Sequence, residues 1–208
     1  MFNRLMNQEK IWDDLYEHLT WKKETVDLPS IMKGKKVLEL GVGNGKTLIS
    51  ILKQKPSEVY GIDSSIKAIE KSKIIFGDKV NLIVGDAKDL PFSNNSFDVV
   101  IAYYILDNSI RKDRLRIISE IHRVLKKKGV CVFEDFSIND FRNKGKKHRT
   151  DKNTKVKKNK LICHFFNEKE VRELFDKFSM LKIKTSKFYP IKNKINLKRE
   201  IINCVAKK

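Results

Sequence analysis

No apolar run in these 208 residues is long enough to span a bilayer, and the opening MFNRLMNQEK carries no secretory hydrophobic stretch. Those absences predict a cytoplasmic protein with no membrane partner. Cysteine is scarce: Cys131, Cys163 and Cys204 are odd in number, far apart and set among apolar neighbours. They read as buried thiols, and a disulfide framework is excluded. The histidines at 18, 122, 148 and 164 share no ligand spacing with one another or with the cysteines, so no metal site is expected. Proline and glycine are too few for long linkers, which suits one domain over 1–208. Acidic residues number 26 against 45 basic ones, a net charge of +19. Such an excess raises the question of a nucleic-acid partner, but lysine is abundant everywhere, so where the charge sits matters more than its total.

What is present centres on Lys36 to Thr47, KVLELGVGNGKT. Val37, Leu38 and Leu40 suit a strand buried on both faces of a parallel sheet. Gly41, Gly43 and Gly45 follow at alternate positions, where they allow a sharp turn and leave no side chain between backbone and ligand. Asn44 or Thr47 is expected to cap the next helix, whose free N–H groups would face the same crevice. A phosphate-binding P-loop needs glycine where Leu40 stands, and a dinucleotide fingerprint needs G-x-G-x-x-G instead of G-x-G-x-G.

Ahead of this loop, residues 7–20 repeat Ile11, Leu15 and Leu19 on one stripe with Trp12 and Tyr16 beside it, and Trp21 just beyond. That helix either packs on the sheet edge or forms a lid over a ligand. Beyond the loop, Glu58 to Ile62 predicts a second strand ending at Asp63, where a carboxylate can accept both hydroxyls of a ribose. Ser64 and Ser65 offer a helix cap. Val80 to Val84 and Phe97 to Ala102 predict strands three and four, and residues 110–126 a helix closed by Lys126 to Lys128 with Gly129 as its C-cap. A fifth strand, Val130 to Phe133, ends at Glu134 and Asp135. Asn167, with Glu170 three residues on, predicts a capped helix. Strand and helix alternate as in a doubly wound sheet.

In this order VLELGVGNGKT, VYGIDSS, VGDAKDLPF, FDVVIAYYILDN and EIHRVLKKKGVCVFED resemble the motifs of class I S-adenosylmethionine (SAM)-dependent methyltransferases over residues 35–135. The variant is similar to the group acting on quinones, other small molecules and some tRNA bases. The resemblance implies a Rossmann-like α/β fold: a doubly wound seven-stranded sheet, mostly parallel, with an antiparallel last strand at one edge and helices on both faces. It implies a helical cap (1–34), a SAM-binding core (35–135), a basic insertion (136–162) and a C-terminal helix and strand pair (163–208). Gly41, Gly43 and Gly45 would lie against the methionyl part of SAM, with Glu39 fixing the loop and the amino-acid end. Asp63, with Ser64 beside it, would hold the ribose, Asp86 the adenine amino group and Ala87 a ring nitrogen through its N–H. Ala102 and Tyr103 would line the reacting end.

The insertion, residues 142–160, holds ten lysines and arginines against Asp151 alone. It reads as a solvated loop, as an RNA arm with Lys146, Lys147, Lys157 and Lys158 as phosphate contacts, or as a clamp for an acidic small substrate. Methyl transfer from a sulfonium needs no fixed triad, and the substrate-side candidates are Tyr16, Tyr103, Tyr104, Asp107, Asn108 and His164. The arm tips the expected acceptor slightly towards RNA, with tRNA foremost. A small-molecule acceptor and a noncatalytic RNA-binding protein are the alternatives.

Overall fold

The computed structural model describes residues 6–18, 25–144, 146–147, 151–188 and 198–208. Leu19, Trp21 and His148 lie outside them, and Lys146 and Lys147 are described for backbone alone. In chain order the elements are α1 (Met6–His18), β1 (Lys36–Leu40), α2 (Lys46–Lys53), β2 (Glu58–Asp63), α3 (Ile66–Phe76), β3 (Asn81–Val84), β4 (Phe97–Tyr103), α4 (Arg111–Val124) and β5 (Leu125–Phe136). Then come β6 (Lys146–Lys147), β7 (Thr154–Val156), β8 (Ile162–His164), α5 (Glu168–Leu174), β9 (Met180–Phe188) and β10 (Arg199–Lys207).

Seven strands form one sheet in the order β3-β2-β1-β4-β5-β10-β9. From β1 the chain winds outward through β2 and β3, then crosses back to β4, and each of these pairings is parallel. The unbroken apolar character of β1 and β4 follows from their position, because both faces are covered. On one face Leu38, Leu40 and Val100 meet Ile117, Ile118 and Ile121 of α4 and Val171 of α5. On the other, Val37, Val99 and Ile101 meet Leu48 and Ile51 of α2 and Ile69 of α3. Strand β10 runs antiparallel to both of its neighbours, between β5 and β9. The antiparallel strand therefore sits one place in from the edge, and β9 forms the edge itself. No helix among the described residues is long and apolar enough to cross a membrane.

Local details depart from the sequence reading at three helix ends. The N-cap of α2 is Gly45, in a left-handed conformation (φ 71°) with no side chain to cap with; Asn44 just ahead accepts the Lys46 N–H at 3.4 Å, and Thr47 bonds Glu39 instead. Helix α4 stops at Val124, and Leu125 is already extended, so Gly129 is not its C-cap. The left-handed residue is Lys128 (φ 66°). Glycine is required at 129 for space, since a Cβ there would stand 2.8 Å from the Lys126 carbonyl oxygen and 3.2 Å from that of Asp98. At α5, Asn167 accepts the Glu170 N–H at 2.9 Å as expected, but the Glu170 side chain turns away to Arg114 and His164. Ser65 caps α3 by accepting the Ala68 N–H at 3.1 Å.

The insertion is ordered where it is described: β6, β7 and β8 form a three-stranded antiparallel sheet. Asp151 ties it to the core through a bidentate ion pair with Arg114 at 3.0 and 3.1 Å. Arg114 is fully buried and also donates to the Ser109 carbonyl oxygen and to Glu170.

Candidate active site

Strands β1, β2, β3 and β4 end on one rim, and the winding reverses between β1 and β4, where an open α/β sheet leaves a crevice. A cavity of about 310 Å³ opens there. The loop after β1 supplies Gly41, and β2 ends in Ile62, Asp63 and Ser64. Gly85 to Lys88 follow β3, and Tyr104, Ile105, Asn108 and Ser109 follow β4. Asp113 and Ile117 of α4 close one side. Helix α1 is the roof, with Gln8, Glu9, Trp12 and Tyr16 facing in. Trp12 and Tyr16, beside the predicted stripe, thus cover the crevice as a lid, while Leu15 of the stripe itself is exposed. The roof is pinned by Asp13, which accepts from the Ser65 hydroxyl at 2.6 Å and the Lys67 N–H at 3.3 Å.

The glycines at 41, 43 and 45 all have left-handed φ (73°, 52° and 71°), which side-chain-bearing residues adopt only under strain. Space matters as much at Gly43, where a Cβ would lie 2.7 Å from Tyr16 Oη. Asp63 braces the turn by accepting the Gly43 N–H at 2.9 Å and the Ser65 N–H at 2.8 Å. Burial nevertheless holds the Asp63 carboxyl above its usual range, against those two bonds. Two carboxylate oxygens have room for further donors, as ribose hydroxyls would be.

Glu39, on β1 just before the loop, is 2% exposed. Burial pushes its pKa well above normal, opposed by a hydrogen bond from Thr47, and its Oε2 has no partner. A buried, unsatisfied carboxylate oxygen is costly unless something donates to it. Beside a turn whose glycines carry no side chain, these residues fit the aminoacyl and ribosyl ends of SAM.

Asp86 accepts the Lys88 N–H at 2.8 Å and pairs with the Lys88 ammonium at 3.2 Å. It lines the cavity together with the buried Ala87. Ala102 and Tyr103 do not line it: β4 runs on through both, Ala102 is wholly enclosed, and the Tyr103 hydroxyl donates to the Asp27 carbonyl oxygen at 3.3 Å. The chain leaves the sheet one residue later, so Tyr104 and Ile105 take that wall.

Of the substrate-side candidates, Tyr16, Tyr104 and Asn108 face the cavity, while Asp107 and His164 lie behind it. Asp107 is held by Asn108 Nδ2 at 2.7 Å and Cys163 Sγ at 3.5 Å, and its N–H donates to Asp135. Burial pushes the Asp107 carboxyl up to about 7. His164 is fully buried between the Thr154 hydroxyl (2.7 Å) and Glu170 (2.9 Å), which makes it part of the network anchoring the insertion. Lys157 points inward too, donating to the Arg142 carbonyl oxygen at 2.9 Å with its ammonium 5.1 Å from the Phe165 ring centre. Lys158 is exposed.

Sequence reasoning passed over Ile105 and Ser109. Ile105 Cδ1 comes within 3.2 Å of where a Gly41 Cβ would be, so it packs on the glycine loop. The signal available was register: an apolar residue just past the end of a central strand reaches the neighbouring loop.

Residues 31–179 match a family described as "Methyltransferase domain". The demethylmenaquinone methyltransferase of Thermotoga maritima is 37% identical over 113 residues, 54% of this chain and 48% of that protein. That of Staphylococcus aureus (strain MRSA252) is 38% identical over 120 residues, 56% of this chain and 49% of that one. The chain thus spans about half the length of the curated relatives it matches. A SAM-dependent methyltransferase from Methanosarcina mazei shares the fold with a TM-score of 0.71 at 22% identity, covering 88% of this chain and 99% of that one. A match over most of the chain, on a sheet of this order with a glycine turn at its crossover, means that the chain belongs to the class I SAM-dependent methyltransferases.

Proposed function

We propose that the methyl group goes to a small, flat, protic molecule admitted beneath α1. The observation that carries this reading is the make-up of the cavity: Trp12 and Tyr16, stacked at 5.7 Å, roof it, and Tyr104, Ile105 and Ile117 wall it. Aromatic and aliphatic surfaces of that kind suit a ring better than a phosphate backbone. Two further facts support it. The insertion's described charges are partly spent on the fold, Lys157 inward and Arg142 on Asp140 at 2.8 Å. The relatives from Thermotoga and Staphylococcus are named for a quinone acceptor.

SAM brings a methyl group already made electrophilic by its sulfonium, so the protein's tasks are to hold, align and keep water out. In this reading the free Glu39 oxygen receives the amino group, and Asp63, with Ser64 adjacent, receives the ribose hydroxyls. Asp86 and the Ala87 N–H take the adenine edge. Ile105 and Tyr104 border the methyl end, where Ala102 and Tyr103 supply only the strand beneath.

The test is transfer of radiolabelled methyl from SAM into 1,4-dihydroxynaphthalene kept reduced, run beside total tRNA. Label in the naphthalene, at a rate little changed between 50 and 300 mM salt, is expected. Label in tRNA, falling steeply with salt, would replace this reading with the RNA one.

A further inference from the structure

We propose that Tyr104 and Glu134 form the acceptor-side proton relay, with Tyr104 meeting the acceptor and Glu134 taking the proton behind it. The proposal rests on the small-acceptor reading above.

The geometry singles out this pair. Tyr104 lines the cavity beside Ile105, which covers Gly41, so it stands at the glycine end of the crevice. It is held in a left-handed conformation (φ 53°) that is costly for a tyrosine. Two bonds keep it there: its N–H donates to the Glu134 carbonyl oxygen at 2.9 Å, and Asn108 Nδ2 donates to its own carbonyl at 3.2 Å. Strain fixed in this way marks sites where a side chain must be placed for a task. The phenol then donates to Glu134 Oε1 at 2.5 Å, a short bond of the charge-assisted kind. Glu134 lies on β5 between Tyr103 of β4 and Asn203 of β10 in register.

Several charged or titratable groups act on Glu134. Tyr104 and Arg199 of β10 favour its ionised form, while burial and Asp27, ahead of β1, favour its proton, with Asp135 next in the strand and Tyr103 across it. Burial is the largest of these influences and holds the carboxyl above its usual range, closer to neutrality. Of the other acids at the site, Asp86 and Asp113 face Lys88 at 3.2 and 3.8 Å, and Glu9 stands exposed on α1. Asp63 braces the loop, Asp107 sits behind the wall, and Tyr16, the other phenol in the cavity, has no carboxylate hydrogen-bonded to it among the described residues.

The step balances without a further reactant. As an acceptor oxygen forms its bond to the methyl carbon, the carbon–sulfur bond breaks with its electron pair left on sulfur. The acceptor's hydroxyl proton passes to Tyr104 Oη while the phenol's own proton passes to Glu134. Tyrosine ends neutral, and the carboxyl later gives its proton to solvent.

The experiment compares wild type, Glu134→Gln, Glu134→Asp and Tyr104→Phe by methyl transfer to reduced 1,4-dihydroxynaphthalene across pH 6 to 9.5, with SAM affinity from calorimetry and the melting temperature of each. The wild-type rate should fall below the pH at which Glu134 takes up its proton. Glu134→Gln and Tyr104→Phe should each lose about 100-fold in kcat, with KM and SAM affinity within about twofold, and their residual rate should climb about tenfold per pH unit because only ionised acceptor reacts. Glu134→Asp should recover part of the loss. A Glu134→Gln enzyme that keeps the wild-type pH profile overturns the relay, as does a loss confined to melting temperature or SAM affinity. Wild type that binds SAM but leaves the naphthalene unlabelled overturns the relay and the small-acceptor reading together. Wild type that labels the naphthalene while the variants match it overturns the relay alone.

Discussion

Two sets of buried charges lie within the same domain-sized fold, and their hydrogen-bond accounts differ. Around Arg114, the guanidinium meets Asp151 twice, Glu170 once and a carbonyl oxygen, while Glu170 and Thr154 hold His164 from either side. At the glycine turn, Glu39 leaves an oxygen without a partner, and Asp63 braces backbone while still opening on a cavity. Arginine in the first set holds Asp151 below the ordinary carboxylate range against its burial, whereas both acids of the second are raised, chiefly by burial. A cluster whose carboxylate oxygens are all paired is a structural joint, even with the Arg114 Nε left unpartnered, and one whose acids are left short of donors is built for a guest.

That contrast can be broken by substitution, beginning where the effect is largest. Arg114→Met strands Asp151 and should lower stability by about 3–5 kcal/mol in urea unfolding, with SAM affinity of the folded fraction unchanged. A loss under 1 kcal/mol would show the joint to be dispensable. Glu39→Gln should do the opposite, holding or raising stability while weakening SAM binding by about tenfold or more in calorimetry, since a charged hydrogen bond is worth roughly 1.5–3 kcal/mol. Equal damage to stability would erase the distinction.

A pH series sharpens it. Asp107 keeps its proton in the fold up to about pH 7 but ionises near 3.8 when unfolded. The folded state therefore binds the extra proton, and the stability this brings is full below about pH 4 and lost as pH rises to about 7. Asp107→Asn should remove that component, so that unfolding free energies from urea titrations at pH 5.5 and 8 differ less than in wild type by about 1 kcal/mol or more. The smallest effect belongs to Lys158→Glu on the exposed insertion: stability within about 0.5 kcal/mol, and transfer to the naphthalene unaltered.

The residues proposed to hold SAM were readable because their constraints are local. A glycine that must take a left-handed φ, an acid at a strand tip and a strand without polar alternation each announce themselves within a few residues. Gly41, Asp63, Asp86 and Ala87 line one cavity, and Gly43 is hydrogen-bonded to Asp63, while Glu39 sits on β1 behind the turn. Elsewhere the deciding partner was distant in the chain. Asp151 looked like a lone acid in a basic run because Arg114 is 37 residues away. His164 looked available because Thr154 and Glu170 are brought to it only by folding. The one-residue displacement from Tyr103 to Tyr104 depended on how far β4 continues, which strand-forming residues on both sides of the boundary conceal.

The placement of β10 has a consequence for synthesis. A nascent chain that has emerged only as far as residue 190 carries β5 with one flank bare, because β10, the strand that covers it, follows later in the chain. Val130, Val132 and Phe133 would then border an open row of peptide groups, the pattern that invites pairing with a neighbouring polypeptide. Ribosomes translating this message in close file would benefit from a chaperone until β10 slots in beside β5 and closes the seam.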